Sequence, residues 1–221
     1  MPSVRLIAVS RPTIADVPGT PELLAYCARV SSTATQLSHE TGGKLLRSLV
    51  RRQEWSPLEM VSLTIEIGTT RDIARQILRH RSFSFQEFSQ RYAIVDAQPV
   101  FREARLQDHN DRQNSIEIDG DDLTGPAWNE WQRRAHATAM AAYNWALSNG
   151  IAKEVARAVL PEGMTASRLY MAGTLRSWIH YVQLRADRKT QKEHRLIAEA
   201  ARDILIGEFP DLADVIGGEH V

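Results

Sequence analysis

Residues 79–92 put three arginines, a histidine, three serines and a glutamate into fourteen positions. Arg79, Arg81 and Arg91 carry planar, permanently charged forks that match phosphates and imide-like oxygens. Ser84 and Ser89 add hydroxyl donors beside them, which reads as an anion pocket. Glu87 could fix an arginine or accept from a ribose hydroxyl. A plain helix end with solvated arginines and a satisfied histidine would explain Arg79, His80 and Arg81 alone. It does not explain Ser84, Gln86, Glu87, Ser89 and Arg91 following at once.

Two further groups have the same character. Glu154, Val155, Ala156 and Arg157 precede Leu160 and Pro161, and Leu184, Arg185, Ala186 and Asp187 close a helical pattern. Either one alone reads as a surface arginine. Other chemistries find little support. There is no Gly-rich dinucleotide fingerprint, and Gly42-Gly43-Lys44 lacks the upstream glycine and the following Ser or Thr of a phosphate-binding loop. His39, His80, His109, His136, His180, His194 and His220 form no ligand pair at metal spacing, so no metal is expected. Cys27, the single cysteine, falls on the apolar side of its helix and reads as a core residue.

The elements that must position these groups follow from periodicity. Val4 to Val9 reads as a strand. Thr20 reads as a helix cap with Pro21 at the first helical position. Leu45, Leu46, Leu49 and Val50 mark a second helix. Residues 60–67 alternate, with Val61, Leu63, Ile65 and Ile67 on one face, as in a half-buried strand; Gly68-Thr69-Thr70 is expected to break it. A helix then buries Ile73, Ala74, Ile77 and Leu78. On it Arg75 and Arg79, and Gln76 and His80, stack four apart. The arginine-rich run opens at its end and continues as a loop.

Residues 107–125 are rich in Asp, Asn, Gln and Gly and read as an exposed, flexible loop. Pro126 opens a long helix carrying Trp128, Trp131, Ala135, Ala139 and Tyr143. Ile151 to Leu160 is a short helix stopped by Pro161. Leu175, Trp178, Ile179 and Val182 give an amphipathic helix ending near Arg185, and Leu196, Ile197, Ala200, Ala201, Ile204 and Leu205 give the last. Helices dominate and strands are few. The expected class is α+β, one domain over 1–221 with a small mixed or antiparallel sheet packed by several helices.

Composition narrows the partners. The 221 residues hold 27 Lys plus Arg against 27 Asp plus Glu, so the net charge is zero. A general nucleic-acid binder shows a basic excess. A neutral chain with local arginine clusters suits a small anionic ligand. No apolar run reaches transmembrane length, no signal pattern opens the chain, and a cytoplasmic location without membrane contact is the default.

Arg79-His80-Arg81, seven residues, then Ser89-x-Arg91 resembles the signature of the flavin-dependent thymidylate synthases (ThyX). The stretches Glu154 to Pro161 and Leu184 to Asp187 are similar to further family motifs in the family's order, so the resemblance spans about residues 54–193. It implies reductive methylation of dUMP to dTMP. Methylenetetrahydrofolate supplies the carbon, and FAD, reduced by NADPH, supplies the hydride, without an enzyme cysteine. It also implies a homotetramer with shared sites. By the resemblance, Gln76, Arg79, Glu87, Ser89, Arg91, Arg157 and Arg185 bind dUMP, and Arg185 is the catalytic residue at the uracil ring. Ser56, Arg79, His80, Arg81, Glu87, Thr174, Arg176 and His180 contact FAD. Gln191 falls at a recurrent family glutamine. Glu54, Met60 and Thr174 depart from the pattern, which commonly has histidine, histidine and asparagine there. The competing readings are a non-catalytic nucleotide- or RNA-binding protein using the arginine cluster, and a histidine-dependent phosphohydrolase using His80.

Overall fold

The computed structural model describes residues 2–96, 98–119 and 122–217. In chain order the elements are β1 (Ser3–Val9), α1 (Thr20–Ala28), α2 (Gly42–Arg51), β2 (Ser62–Thr70), α3 (Arg71–Ile77), β3 (Ser84–Glu87), β4 (Arg105–Gln107), β5 (Ser115–Glu117), α4 (Thr124–Ser148), α5 (Lys153–Ala156), β6 (Ala166–Thr174), α6 (Leu175–Arg185), α7 (Lys192–Glu208) and α8 (Ala213–Ile216). The class is α+β. One antiparallel sheet runs β1-β2-β6-β3, and β4 pairs with β5 in a separate hairpin.

The alternation of β2 explains its place at the sheet centre. Leu63, Ile65 and Ile67 are fully buried, while Ser62, Thr64 and Glu66 face outward. Across from them on β6 lie Gly173, Met171 and Leu169. Ile73 and Ile77 of α3, Trp178, Ile179 and Val182 of α6, and Ile197, Ala201 and Leu205 of α7 cover that face. Each Leu, Ile or Val among them, fully buried, contributes about 1.5–3 kcal/mol. A smaller cluster of Val95, Tyr143, Ala146, Ala156 and Leu160 sits under α4.

Several local readings are corrected. Gly19, not Thr20, is the N-cap of α1; the Thr20 hydroxyl instead donates to the Ser10 carbonyl at 2.7 Å. Gly68-Thr69-Thr70 does not break β2, because all three residues pair with β6. The whole of β6 is an additional strand. The arginine-rich run is not simply a loop, since Ser84–Glu87 pairs with β6 as an edge strand. α3 ends at Ile77, so His80 follows on a turn, with its N–H donating to the Ile77 carbonyl at 3.1 Å. α4 begins at Thr124, two residues before Pro126. Residues 107–125 include part of the β4–β5 hairpin, pinned to α7 by Arg105–Glu193 at 2.8 Å; positions 120 and 121 lie outside the described residues, as does His220. Cys27 is half-buried and not part of the main core.

Candidate active site

The junctions β2–α3 and β6–α6 build the site. Each strand passes straight into a helix, so residues at the helix starts and ends are fixed relative to the sheet. Thr174 caps α6: its Oγ1 accepts from the Ser177 N–H at 3.3 Å. Trp178 Nε1 donates to the Leu63 carbonyl at 3.2 Å and locks α6 against β2. With that axis set, Arg185 in the last turn points at the turn after α3. There its Nε donates to His80 Nε2 at 3.0 Å.

That contact defines His80. A ring nitrogen that accepts from a guanidinium carries no proton, so His80 is neutral. Burial, with Arg185 and Arg79 nearby, pushes its pKa down to about 4. The ring packs edge-on against Tyr181 at 5.0 Å and stands 6.4 Å from Phe83. Phe83 lies across β6 at Gly173, where an added Cβ would come within 2.5 Å of its ring. Glycine is therefore required there.

Behind His80 lies a network that sequence reasoning missed in part. His194, fully buried, contacts Tyr181 Oη through Nε2 at 3.1 Å and Gln76 Oε1 through Nδ1 at 3.2 Å. Burial, together with Arg185 and His80, pushes the His194 pKa down to about 3. Gln76 Nε2 donates to Gln191 Oε1 at 2.9 Å. Tyr181 carried a readable signal, being four residues before Arg185 and so on the same face of α6. His194 carried none beyond its place in the first turn of α7.

The remaining expected residues fall into separate groups. Arg176 pairs with Glu59, and His180 meets the Trp55 ring edge-on at 4.4 Å, beside exposed Ser56. Burial and Arg176 lower the His180 pKa. Ser177 Oγ donates to the Ser82 carbonyl at 3.2 Å, which ties the Arg81 turn to α6. Glu87 accepts from Ser167 Oγ at 2.7 Å and pairs with Arg71 at 3.3 Å. Ser89 Oγ accepts from the Arg91 N–H at 3.4 Å, Arg91 pairs with Glu154 at 3.4 Å, and Arg157 is half-buried after α5. The structure thus brings Gln76, His80 and Arg185 together, with Gln191. It joins none of these to Glu87, Ser89, Arg91 or Arg157 by a side-chain contact within the described residues.

The donor set can be tested against FAD. Arg79 and Arg81 are exposed and neither makes an ion pair among the described residues. Free guanidiniums on an anchored turn, with Ser56, Thr174, Arg176 and His180 on the adjoining α6 start and 3₁₀ turn, fit a dinucleotide's pyrophosphate. Glu54 does not join this set; it is exposed and pairs with Arg52 at 3.0 Å. Among the described residues no cluster of His, Cys, Asp and Glu could hold a metal ion, and no helix is long and apolar enough to cross a membrane.

The chain is similar to known proteins over nearly its whole length. A protein from Paramecium bursaria Chlorella virus 1, named "Probable flavin-dependent thymidylate synthase", is 46% identical over 215 residues, 97% of this chain and 98% of its own length. A flavin-dependent thymidylate synthase from Synechocystis sp. is 50% identical over 213 residues, 95% and 97% of the two chains. Among solved structures, the UMP/dUMP methylase PolB from Streptomyces cacaoi bound with 5-Br UMP superposes with a TM-score of 0.82 at 26% identity, over 99% of this chain and 96% of that one. Residues 13–211 match Thy1, the thymidylate synthase complementing protein family. With the match running through nearly the whole chain, the protein belongs to the Thy1 family, that of the flavin-dependent thymidylate synthases.

Proposed function

We propose that the chain is a flavin-dependent thymidylate synthase that methylates dUMP to dTMP, with methylenetetrahydrofolate as carbon donor and FAD reduced by NADPH. The observation that carries this reading is the Arg185–His80 contact on an anchored turn. His80 takes one edge of the guanidinium through Nε. The two terminal nitrogens stay free to meet N3 and a carbonyl oxygen of a uracil ring. Charge that builds on the ring as its carbon becomes nucleophilic is then met by a group already in place. A neutral His80 leaves the full positive charge of Arg185 for the substrate. FAD, when bound, carries the hydride chemistry. Ser56, Arg79, His80, Arg81, Glu87, Thr174, Arg176 and His180 hold it in this reading. The thiol of Cys27 is pushed up by burial, the wrong direction for a nucleophilic thiolate.

Gln76, Arg79, Glu87, Ser89, Arg91 and Arg157 complete the dUMP site together with Arg185. Because Arg91 and Arg157 make no side-chain contact with Arg185 among the described residues, we place their meeting across subunits of a homotetramer. The exposed tryptophans of α4 support an assembled state: Trp131 is 64% exposed and Trp145 63%. Exposed aromatics in such number mark contact surfaces. Incubation with dUMP, methylenetetrahydrofolate, FAD and NADPH, with product analysis, tests the activity. Formation of dTMP is expected; flavin-loaded protein that leaves dUMP unchanged would remove the proposal.

A further inference from the structure

Gln76 sits at the end of a hydrogen-bond chain whose polarity is set elsewhere. A side-chain amide can present either its N–H₂ or its C=O to a ligand, and the two choices recognise opposite partners. The chain runs from Glu193 at the start of α7. Glu193 Oε1 accepts from Arg105 at 2.8 Å, and Oε2 lies 3.7 Å from Arg102. Burial pushes its carboxyl up, but the hydrogen bonds from Arg105 and its other neighbours outweigh this and hold it below the usual range. It is ionised at neutral pH and can only accept.

Each following link is then forced. Gln191 must turn its Nε2 to Glu193 Oε2, at 2.9 Å. Its Oε1 therefore faces Gln76, which must give Nε2, also at 2.9 Å. Gln76 Oε1 is left facing His194 Nδ1 at 3.2 Å, so that nitrogen carries the ring proton. His194 Nε2 must accept, and Tyr181 Oη donates to it at 3.1 Å. Burial raises the Tyr181 pKa, so its proton stays. A flipped amide at any link would set two acceptors or two donors against each other.

We infer that Glu193, acting through Gln191, and His194 are positioning residues that fix the Gln76 amide so that it offers its second N–H, a donor, to an acceptor oxygen of the nucleotide. The inference rests on the dUMP role proposed for Gln76. Neither Glu193 nor His194 need touch substrate for it to hold.

The test is calorimetric titration of flavin-loaded protein with dUMP. Gln191→Ala cuts the chain at an exposed position where folding is not at stake. Glu193→Gln keeps the shape and removes the obligatory acceptor. Each should weaken dUMP binding about tenfold, the factor carried by one hydrogen bond. In a Gln76→Ala background each should change it less than about twofold, because residues acting through Gln76 are not additive with its loss. Flavin content should not move. Unchanged dUMP affinity in Gln191→Ala overturns the inference, as do equal losses in both backgrounds. A wild-type chain that does not bind dUMP at all brings down the thymidylate synthase reading itself, and is distinguishable from either result.

Discussion

Arg185 and Arg91 are expected at the same nucleotide, yet the chain holds them in opposite ways. Arg185 ends a helix whose Leu175, Trp178, Ile179, Tyr181 and Val182 are buried, and its Nε is fixed on a neutral histidine. Arg91 lies on the surface, 57% exposed in its side chain, beside a carboxylate that is itself 56% exposed. The first region is set within one chain: His80, Gln76 and His194 are held by hydrogen bonds and the backbone by sheet and core, with two nitrogens of Arg185 left for a ligand. The second region offers loosely held cations under α4, whose own burial is limited to Gln132, Tyr143 and Ala146. A ligand site made from both would be preorganised on one side and, in the proposed tetramer, completed by assembly on the other.

The largest effect should come from breaking the finished side. Arg185→Ala is expected to lower turnover by about 10²–10³, the usual loss for one preorganised charge-stabilising donor. Flavin content should stay near normal, because Arg79 and Arg81 remain. Arg185→Lys should not restore the rate, since an ammonium cannot take His80 and a uracil edge at once in a fork geometry. Turnover and flavin absorbance on the same preparation decide it. Near-normal dTMP formation would show that the fixed guanidinium is not the one that matters.

Joining the two sides by mixing gives the next test. Arg91→Ala and Arg185→Ala chains should each be nearly inactive. Unfolded and reassembled together at equal amounts, they should recover activity in about a quarter of the sites if each site takes one arginine from each of two subunits. No recovery, or a sedimentation mass of one chain, would mean that both arginines serve a site within a single chain.

The finished side should also betray itself by pH. His80 and His194 have folded pKa values of about 4 and about 3, below the ordinary value near 6.5. Above that value both states are neutral and neither residue affects stability. As pH falls below about 6.5 the unfolded chain takes up protons that the folded one refuses, so stability is lost progressively until the folded pKa is reached. At about 1.4 kcal/mol per pKa unit, the loss is on the order of a few kcal/mol. Chemical denaturation at pH 7 and pH 4.5 measures it, and His80→Gln should shrink the difference. Among the described residues Arg91 and Glu154 contact no histidine, and that region should add nothing to it.

The two regions also differ in how far they could be read beforehand. The α6 stripe and the β2 alternation are strong because Leu175, Trp178, Ile179 and Val182, and Leu63, Ile65 and Ile67, are large apolar residues at buried positions, so both elements and the place of Arg185 follow from spacing. β6 was missed. Gly173 and the alanines at 166 and 172 weaken its strand pattern, and its state is imposed by pairing with β2. β3 reads as loop because Ser84, Gln86 and Glu87 are polar and the strand is only four residues long. The Gln76–His194–Tyr181 network depends on how α7 crosses α3 and α6, which no local pattern encodes. Arg91 and Arg157 make no side-chain contact with Arg185 among the described residues, so neither periodicity nor the fold of one chain brings the expected dUMP set together.

The smallest effect should lie at the open side. Glu154→Ala removes the carboxylate paired with Arg91, with both side chains more than half exposed. An ion pair in that setting contributes about 0–1 kcal/mol, and the loss of two ordered long side chains offsets much of it. The melting temperature should therefore move by only a degree or two, within what a surface substitution gives. Removing the carboxylate also frees the guanidinium and deletes a negative charge that a nucleotide phosphate would meet. Affinity for dUMP should hold or rise slightly at low salt, and the difference should fade as salt screens it. The same kind of change on the closed side, removing His80 from Arg185, strands a half-buried cation and has no such latitude. If Glu154→Ala instead melts the protein early or abolishes dUMP binding, the pair is part of a fixed framework, and the contrast between a finished side and one awaiting a partner is wrong.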